Sequence, residues 1–153
     1  MALDLKKLKQ LREMSGVSYA LCKKALEESN NNLEEAKKKL TTLAGAKIAE
    51  KSTRSTSQGG IFSYVHHNSK IAAFVEMQTE TDFVSGNAEF KKLGQELAMQ
   101  IASVPAKDVE EFLQQDYIRE PSKKMADLLK EAVLKFGENI KVARFLRWEL
   151  GGE

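Results

Sequence analysis

The chain carries one cysteine, Cys22, and two prolines, Pro105 and Pro121, in 153 residues. A single thiol forms neither an internal disulfide nor a cysteine-based zinc cluster. Placed among Leu21, Ala25 and Leu26, Cys22 reads as a small buried apolar residue rather than a reactive group. Histidine is equally scarce, with only His66 and His67. Neighbours on an extended strand point to opposite faces, so this pair is not expected to share a metal ion. No apolar run approaches the ~20 residues of a membrane-spanning helix, and Met1–Lys7 lacks the apolar stretch and cleavage site of a signal peptide. Gly59-Gly60 has neither the spacing nor the following Lys-Ser/Thr of a phosphate-binding loop. No nucleophile stands near a base and an acid. These absences predict a soluble protein of a reducing compartment, with no cofactor, no metal and no covalent chemistry of its own.

What is present is charge, unevenly spread. The overall balance is +2, yet residues 1–54 carry 12 Lys/Arg against 7 Asp/Glu, and residues 55–153 carry 12 against 15. A basic front on an acidic body fits a nucleic acid, an acidic protein surface, or a solvated lysine-rich helix face. Single-stranded nucleic-acid binding uses several stacking rings among the charges. Tyr19 is the only aromatic residue in the basic part, so direct nucleic-acid binding is not expected.

Apolar periodicity divides the chain. Leu5, Leu8 and Leu11 mark a first short helix that Gly16 interrupts. Ser18 caps a second, whose apolar face is Leu21, Cys22, Ala25 and Leu26. Asn30-Asn31-Asn32 signals a turn, and Asn32 with Glu35 has capping-box spacing for a third helix bearing Leu33, Ala36, Leu40 and Leu43. Helices this short are marginal alone, so they are expected to pack as one bundle over residues 1–46. Residues 47–60, ending in the Ser/Thr/Gly-rich stretch Lys51–Gly60, read as a linker, and residues 61–153 as a second domain. There the period falls to two. Residues 61–66 and 71–77 are expected strands of a hairpin turning at 67–70.

After the hairpin, Asn87 caps a helix with Phe90, Leu93, Leu97 and Ile101 that Pro105 closes. Asp108 and Glu111 have capping-box spacing for a short helix containing Val109, Phe112 and Leu113. Pro121-Ser122 is expected to open a helix bearing Met125, Leu128, Leu129, Ala132, Val133 and Phe136, which Gly137 ends. The last segment alternates, with Ile140, Val142, Leu146, Trp148 and Leu150 expected on one strand face. The predicted class is α+β: a three-helix bundle, a linker, and a three-stranded antiparallel sheet covered by helices on one side.

Three blocks are distinctive: Leu11–Leu26 (LREMSGVSYALCKKAL), Glu76–Ser85 (EMQTETDFVS) and Phe136–Phe145 (FGENIKVARF), the last running into Leu150-Gly151. In type, order and separation they resemble the elongation factor Ts family, and they span the chain from its first helix to its last strand. The resemblance implies a ubiquitin-associated-like bundle and a core with a three-stranded sheet. It also implies a role as a guanine nucleotide exchange factor that binds elongation factor Tu and releases GDP during translation. Thr81, Asp82, Phe83 and Val84 would then meet the GTPase domain, with the Phe83 ring entering near the nucleotide site. Arg12, Val17, Tyr19 and Ala20 would make a second contact. Tyr19 and Ala20 stand where the family often has two methionines.

The segment between the Asn87 helix and the last helix is shorter than is usual in that family, and only one copy of the core is present. Short members pair through the sheet, which implies a homodimer built on Ile140, Val142, Phe145, Leu146 and Trp148. Leu146 stands where some short relatives have a linking cysteine, so such a dimer is noncovalent. A bacterial cytoplasmic location follows from the resemblance, as does a processed mitochondrial or plastid one. Two other classes compete: a ubiquitin-type adaptor using the bundle, and a nucleic-acid binder using the basic front.

Overall fold

The computed structural model describes residues 2–152. Close backbone packing divides the chain into two units: residues 1–53 with 131–137, and residues 54–130 with 138–153.

The first unit is a helical bundle of α1 (Leu5–Ser15), α2 (Tyr19–Glu28) and α3 (Leu33–Lys51). The caps expected at Ser18 and Asn32 are present. Asp4 accepts from the Lys6 and Lys7 N–H groups, Ser18 from Leu21 and Asn32 from Glu35. Gly16 ends α1 in the left-handed conformation at φ 67°, and its N–H donates to the Arg12 carbonyl, a closure that suits a residue without Cβ. Leu8, Leu11, Cys22, Ala25, Leu26, Ala36 and Leu40 form the core. The Cys22 thiol is enclosed there, and burial pushes its pKa up, with the Ser15 hydrogen bond and the Arg12 charge offsetting part of the rise. It is a packing residue. The helix α3 runs beyond the expected bundle edge at residue 46 as far as Lys51. Residues 46–51 are mostly good helix formers, and the exposed Gly45 costs too little to stop propagation.

The second unit is built on a sheet of β1 (Gln58–Val65), β2 (Ile71–Thr79) and β5 (Ile140–Glu149), antiparallel throughout, with β2 central. The α+β class predicted from sequence is therefore correct. The strand β1 begins inside the expected linker because β2 offers partners as far as Thr79 opposite Gln58. Gly59, at φ 152°, makes that possible: a Cβ there would lie 1.9 Å from the Met77 carbonyl oxygen. His66 and His67 fall beyond the end of β1, with ring centroids 4.1 Å apart. They are thus neighbours in space, contrary to the opposite-face expectation, because the strand pleat does not extend to them. Among the described residues no three His, Cys, Asp or Glu side chains gather to hold a metal ion.

One sheet face is covered by α5 (Ala88–Ser103), whose Asn87 cap accepts from the Glu89 N–H. Phe90 meets Phe62 edge-on at 5.8 Å. Gly94 lets the helix approach, since a Cβ there would lie 2.2 Å from the Phe62 ring. The segment after α5 comprises α6 (Val109–Gln114), a hairpin of β3 (Asp116–Tyr117) with β4 (Glu120–Lys124), and α7 (Met125–Phe136). Asp108 caps α6 by accepting from the Glu111 N–H, and Gly137 closes α7 at φ 72°. The expected helix start at Pro121-Ser122 is not observed. Both residues lie in β4, and Lys124 precedes the helix with its N–H donating to Asp127. A proline lacking its N–H fits a short edge strand as readily as a helix start. The deciding contacts are remote: the buried Gln100 amide donates to the Gln115 side chain and the Asp116 carbonyl, and its oxygen accepts from the Ile118 N–H. Nearby, Tyr117 donates to Glu96 at 2.6 Å, and burial together with that carboxylate raises its pKa to about 12.

Candidate partner-binding site

The block Thr81–Val84 forms a corner. The strand β2 stops at Thr79, Thr81 remains extended (φ −128°, ψ 159°), and α4 (Asp82–Ser85) makes one turn before Asn87 starts α5. On that single turn, consecutive side chains part company. Val84 points inward and is 6% exposed, whereas the next-door Phe83 is 88% exposed. No other large apolar side chain among the described residues is so open to solvent. Asp82 is also exposed, in the first turn, where its charge complements the helix N-terminus. Val84, expected at the contact, has its side chain buried at the corner.

A four-residue helix has no stability of its own. Its entry is held by a residue far along the chain. One Glu138 oxygen accepts from the Thr81 N–H at 3.0 Å, and the other accepts from the Thr81 hydroxyl. Thr81 Oγ1 consequently makes no capping bond to α4, and its side chain is occupied within the protein. On the preceding residue, a Glu80 oxygen accepts from the Asn139 N–H at 2.6 Å and lies 3.7 Å from the Arg54 guanidinium. The Asn139 amide in turn donates to the Arg54 carbonyl at 2.8 Å.

In the bundle, Arg12, Tyr19 and Ala20 are exposed, and the Arg12 guanidinium lies 5.8 Å from the Tyr19 ring centroid. This is a cation–π pair on the rim of a groove lined by Leu5, Leu8, Lys9 and Val17. Val17, also expected at the contact, lines this groove while most of its side chain packs against the bundle core. It follows the Gly16 turn, and its side chain closes the end of the bundle.

The residues expected at the dimer interface are also split. Glu76 pairs with Arg144 and Met77 with Val142, so Ala143 has no partner. This bulge reverses the side-chain alternation of β5. Ile140 and Val142 are buried in the protein's own core, and the Phe145 ring packs 5.7 Å from Phe112. Leu146 and Trp148 project from the other face, Trp148 with 65% of its surface exposed. They share that face with Ile61, Val65 and Phe74, which are likewise exposed. The Glu76–Arg144 ion pair, at 3.2 Å, sits on the same open face.

The chain matches the family described as Elongation factor TS over residues 80–153. It is 34% identical to "Elongation factor Ts" of Thermotoga maritima, over 99% of this chain and 98% of that protein. The protein of that name from Leptospira biflexa is also 34% identical, over 99% and 100% of the two chains. The chain belongs to the elongation factor Ts family. It is therefore related to translation elongation factors, as the three sequence blocks implied. A longer member, from Aquifex aeolicus, is 38% identical over 97% of this chain but only 53% of its own length. The Thermotoga alignment extends over 194 residues, so that relative carries sequence this chain lacks. No described helix is long and apolar enough to cross a membrane.

The block Glu76–Ser85 marks this segment in the sequence, but not what supports it. Glu138 and Asn139 belonged to a matched block, yet no local pattern links them to residues 80 and 81. The pairing of Thr79 with Ile140 is what brings the two segments together.

Proposed function

We propose that this protein binds elongation factor Tu and promotes GDP release from it during translation elongation. The observation that supports this reading best is the Phe83 ring, held out in water at a corner whose neighbouring residues are anchored. An exposed aromatic on a rigid support is the usual form of an interface hot spot. The ring enters the GTPase domain near the nucleotide, with Asp82 beside it, and shifts the elements that hold Mg²⁺ and cradle the phosphates. Mg²⁺ and backbone N–H groups supply much of the attraction for the diphosphate, so their displacement weakens GDP with no bond made or broken. The coupling is reciprocal: GDP weakens the factor's binding by the same ratio. The bundle makes a second, separate contact through Arg12, Tyr19 and Ala20. On this reading the protein is no enzyme in the covalent sense, has no nucleic-acid ligand, and acts in the bacterial cytoplasm or an equivalent organellar compartment.

Fluorescent GDP preloaded on elongation factor Tu tests the proposal. Substoichiometric amounts of this protein should accelerate release, and a complex formed without nucleotide should dissolve in excess GDP. Unchanged release at saturating factor refutes it.

The active form is a noncovalent homodimer joined through the open sheet face. Ile61, Val65, Phe74, Leu146 and Trp148 together exceed the scattered apolar exposure of an ordinary monomer. Light scattering over a concentration series should show the mass rising to twice the 17.1 kDa of the chain. A Leu146→Glu variant should stay at one chain mass. A constant single-chain mass for the unaltered protein at high micromolar concentration rules the dimer out.

A further inference from the structure

We infer that Glu138 is a positioning residue for the Phe83 corner, working through a reciprocal clasp with the Glu80-Thr81 segment. This rests on the exchange reading given above and deepens it. The strands β2 and β5 stop pairing at Thr79 and Ile140. Beyond that last pair, side chains take over from the backbone ladder. Glu138 accepts from the N–H of Thr81, while Glu80 accepts from the N–H of Asn139. Each segment thus lends a carboxylate to the other's backbone. Bonds of this charge-assisted kind are short and directional.

The consequence is directional for Phe83. The Thr81 backbone is the last extended residue before α4, so its orientation sets where the helical turn begins and where the ring points. Glu138 grips that residue twice, at the N–H and at the hydroxyl. Thr79 adds a third restraint, its hydroxyl donating to the Thr81 carbonyl at 2.9 Å. Behind the clasp, Arg54 pairs with Glu80, and its carbonyl receives the Asn139 amide. All three peptide segments therefore converge on the base of one exposed ring. The effect of Glu138 on Phe83 is transmitted through Thr81, the residue it holds. A glutamine preserves the geometry: its oxygen accepts from the N–H and its amide donates to the hydroxyl oxygen. Alanine abolishes both bonds.

Two measurements on the full chain test this. In the fluorescent GDP assay, Glu138→Ala should slow release about tenfold in the normal background and less than about twofold alongside Phe83→Ala, since misplacing a group matters only while the group is there. Glu138→Gln should restore most of the rate. Equal losses in both backgrounds, no loss, or glutamine as damaging as alanine would overturn the inference. No acceleration of release by the unaltered protein would refute the exchange reading, full release activity in Phe83→Ala would refute the ring's part in it, and in either case a second measurement still judges the clasp. In the free protein, NMR of Glu138→Ala should show faster amide exchange at Thr81 and shifted Phe83 ring signals, with Phe90 unchanged. Unaltered Thr81 exchange and Phe83 signals in that variant would show that no clasp operates.

Discussion

Phe83→Ala is expected to slow GDP release from elongation factor Tu well over tenfold while leaving the protein's own stability nearly unchanged. Truncating an anchoring aromatic at an interface costs about 2 kcal/mol or more, roughly a 30-fold effect on a rate that depends on that contact. In the free protein the ring is 88% exposed, so its removal leaves no cavity, and such surface changes stay within about 0.5 kcal/mol. Stopped-flow release and thermal melting of the same preparation separate the two effects. A large drop in melting temperature would place Phe83 in the core and sink the site assignment. Asp82→Ala should slow release less, because this variant keeps the Phe83 ring.

Phe90→Ala has the opposite signature. This residue, seven positions on, is fully buried beneath the sheet and packs edge-on against Phe62. Truncation removes the ring from a packed layer and leaves a void. The expected cost is about 3–5 kcal/mol, read as an earlier urea or thermal transition. Because the lesion is in the support rather than the contact, any exchange defect should follow the unfolded fraction and recede at lower temperature. A variant as stable as the unaltered protein would contradict the packing of α5 on the sheet. Together the pair of substitutions contrasts one residue type in two environments, one facing water and one facing the core.

Much of this contrast was legible before the fold. Phe90 belongs to a helical stripe with Leu93, Leu97 and Ile101, and a stripe implies a covered face. Phe83 belongs to no stripe; its role was visible only through resemblance, because a lone phenylalanine after a strand looks the same whether it ends inside or outside. Caps were similarly clear. Ser18, Asn32, Asn87 and Asp108 each accept from the backbone N–H groups of the helices they start, since a cap and its helix are neighbours in sequence.

The sequence by itself determined the local elements, the helical bundle, the hairpin and the family. Those depend on periodicity and on short-range hydrogen bonding, which are written within a few consecutive residues. Tertiary structure alone decided three matters. The bulge at Ala143 sent Ile140, Val142 and Phe145 inward and left Leu146 and Trp148 outside, because register depends on the partner strand. Gln100 bonds to the first half of the hairpin that contains Pro121, at residues 15 to 18 positions away. Glu138 reached Thr81 across 57 positions. In each case the energy lies in a contact between segments remote in sequence, and such a contact exists only once the chain between them has folded.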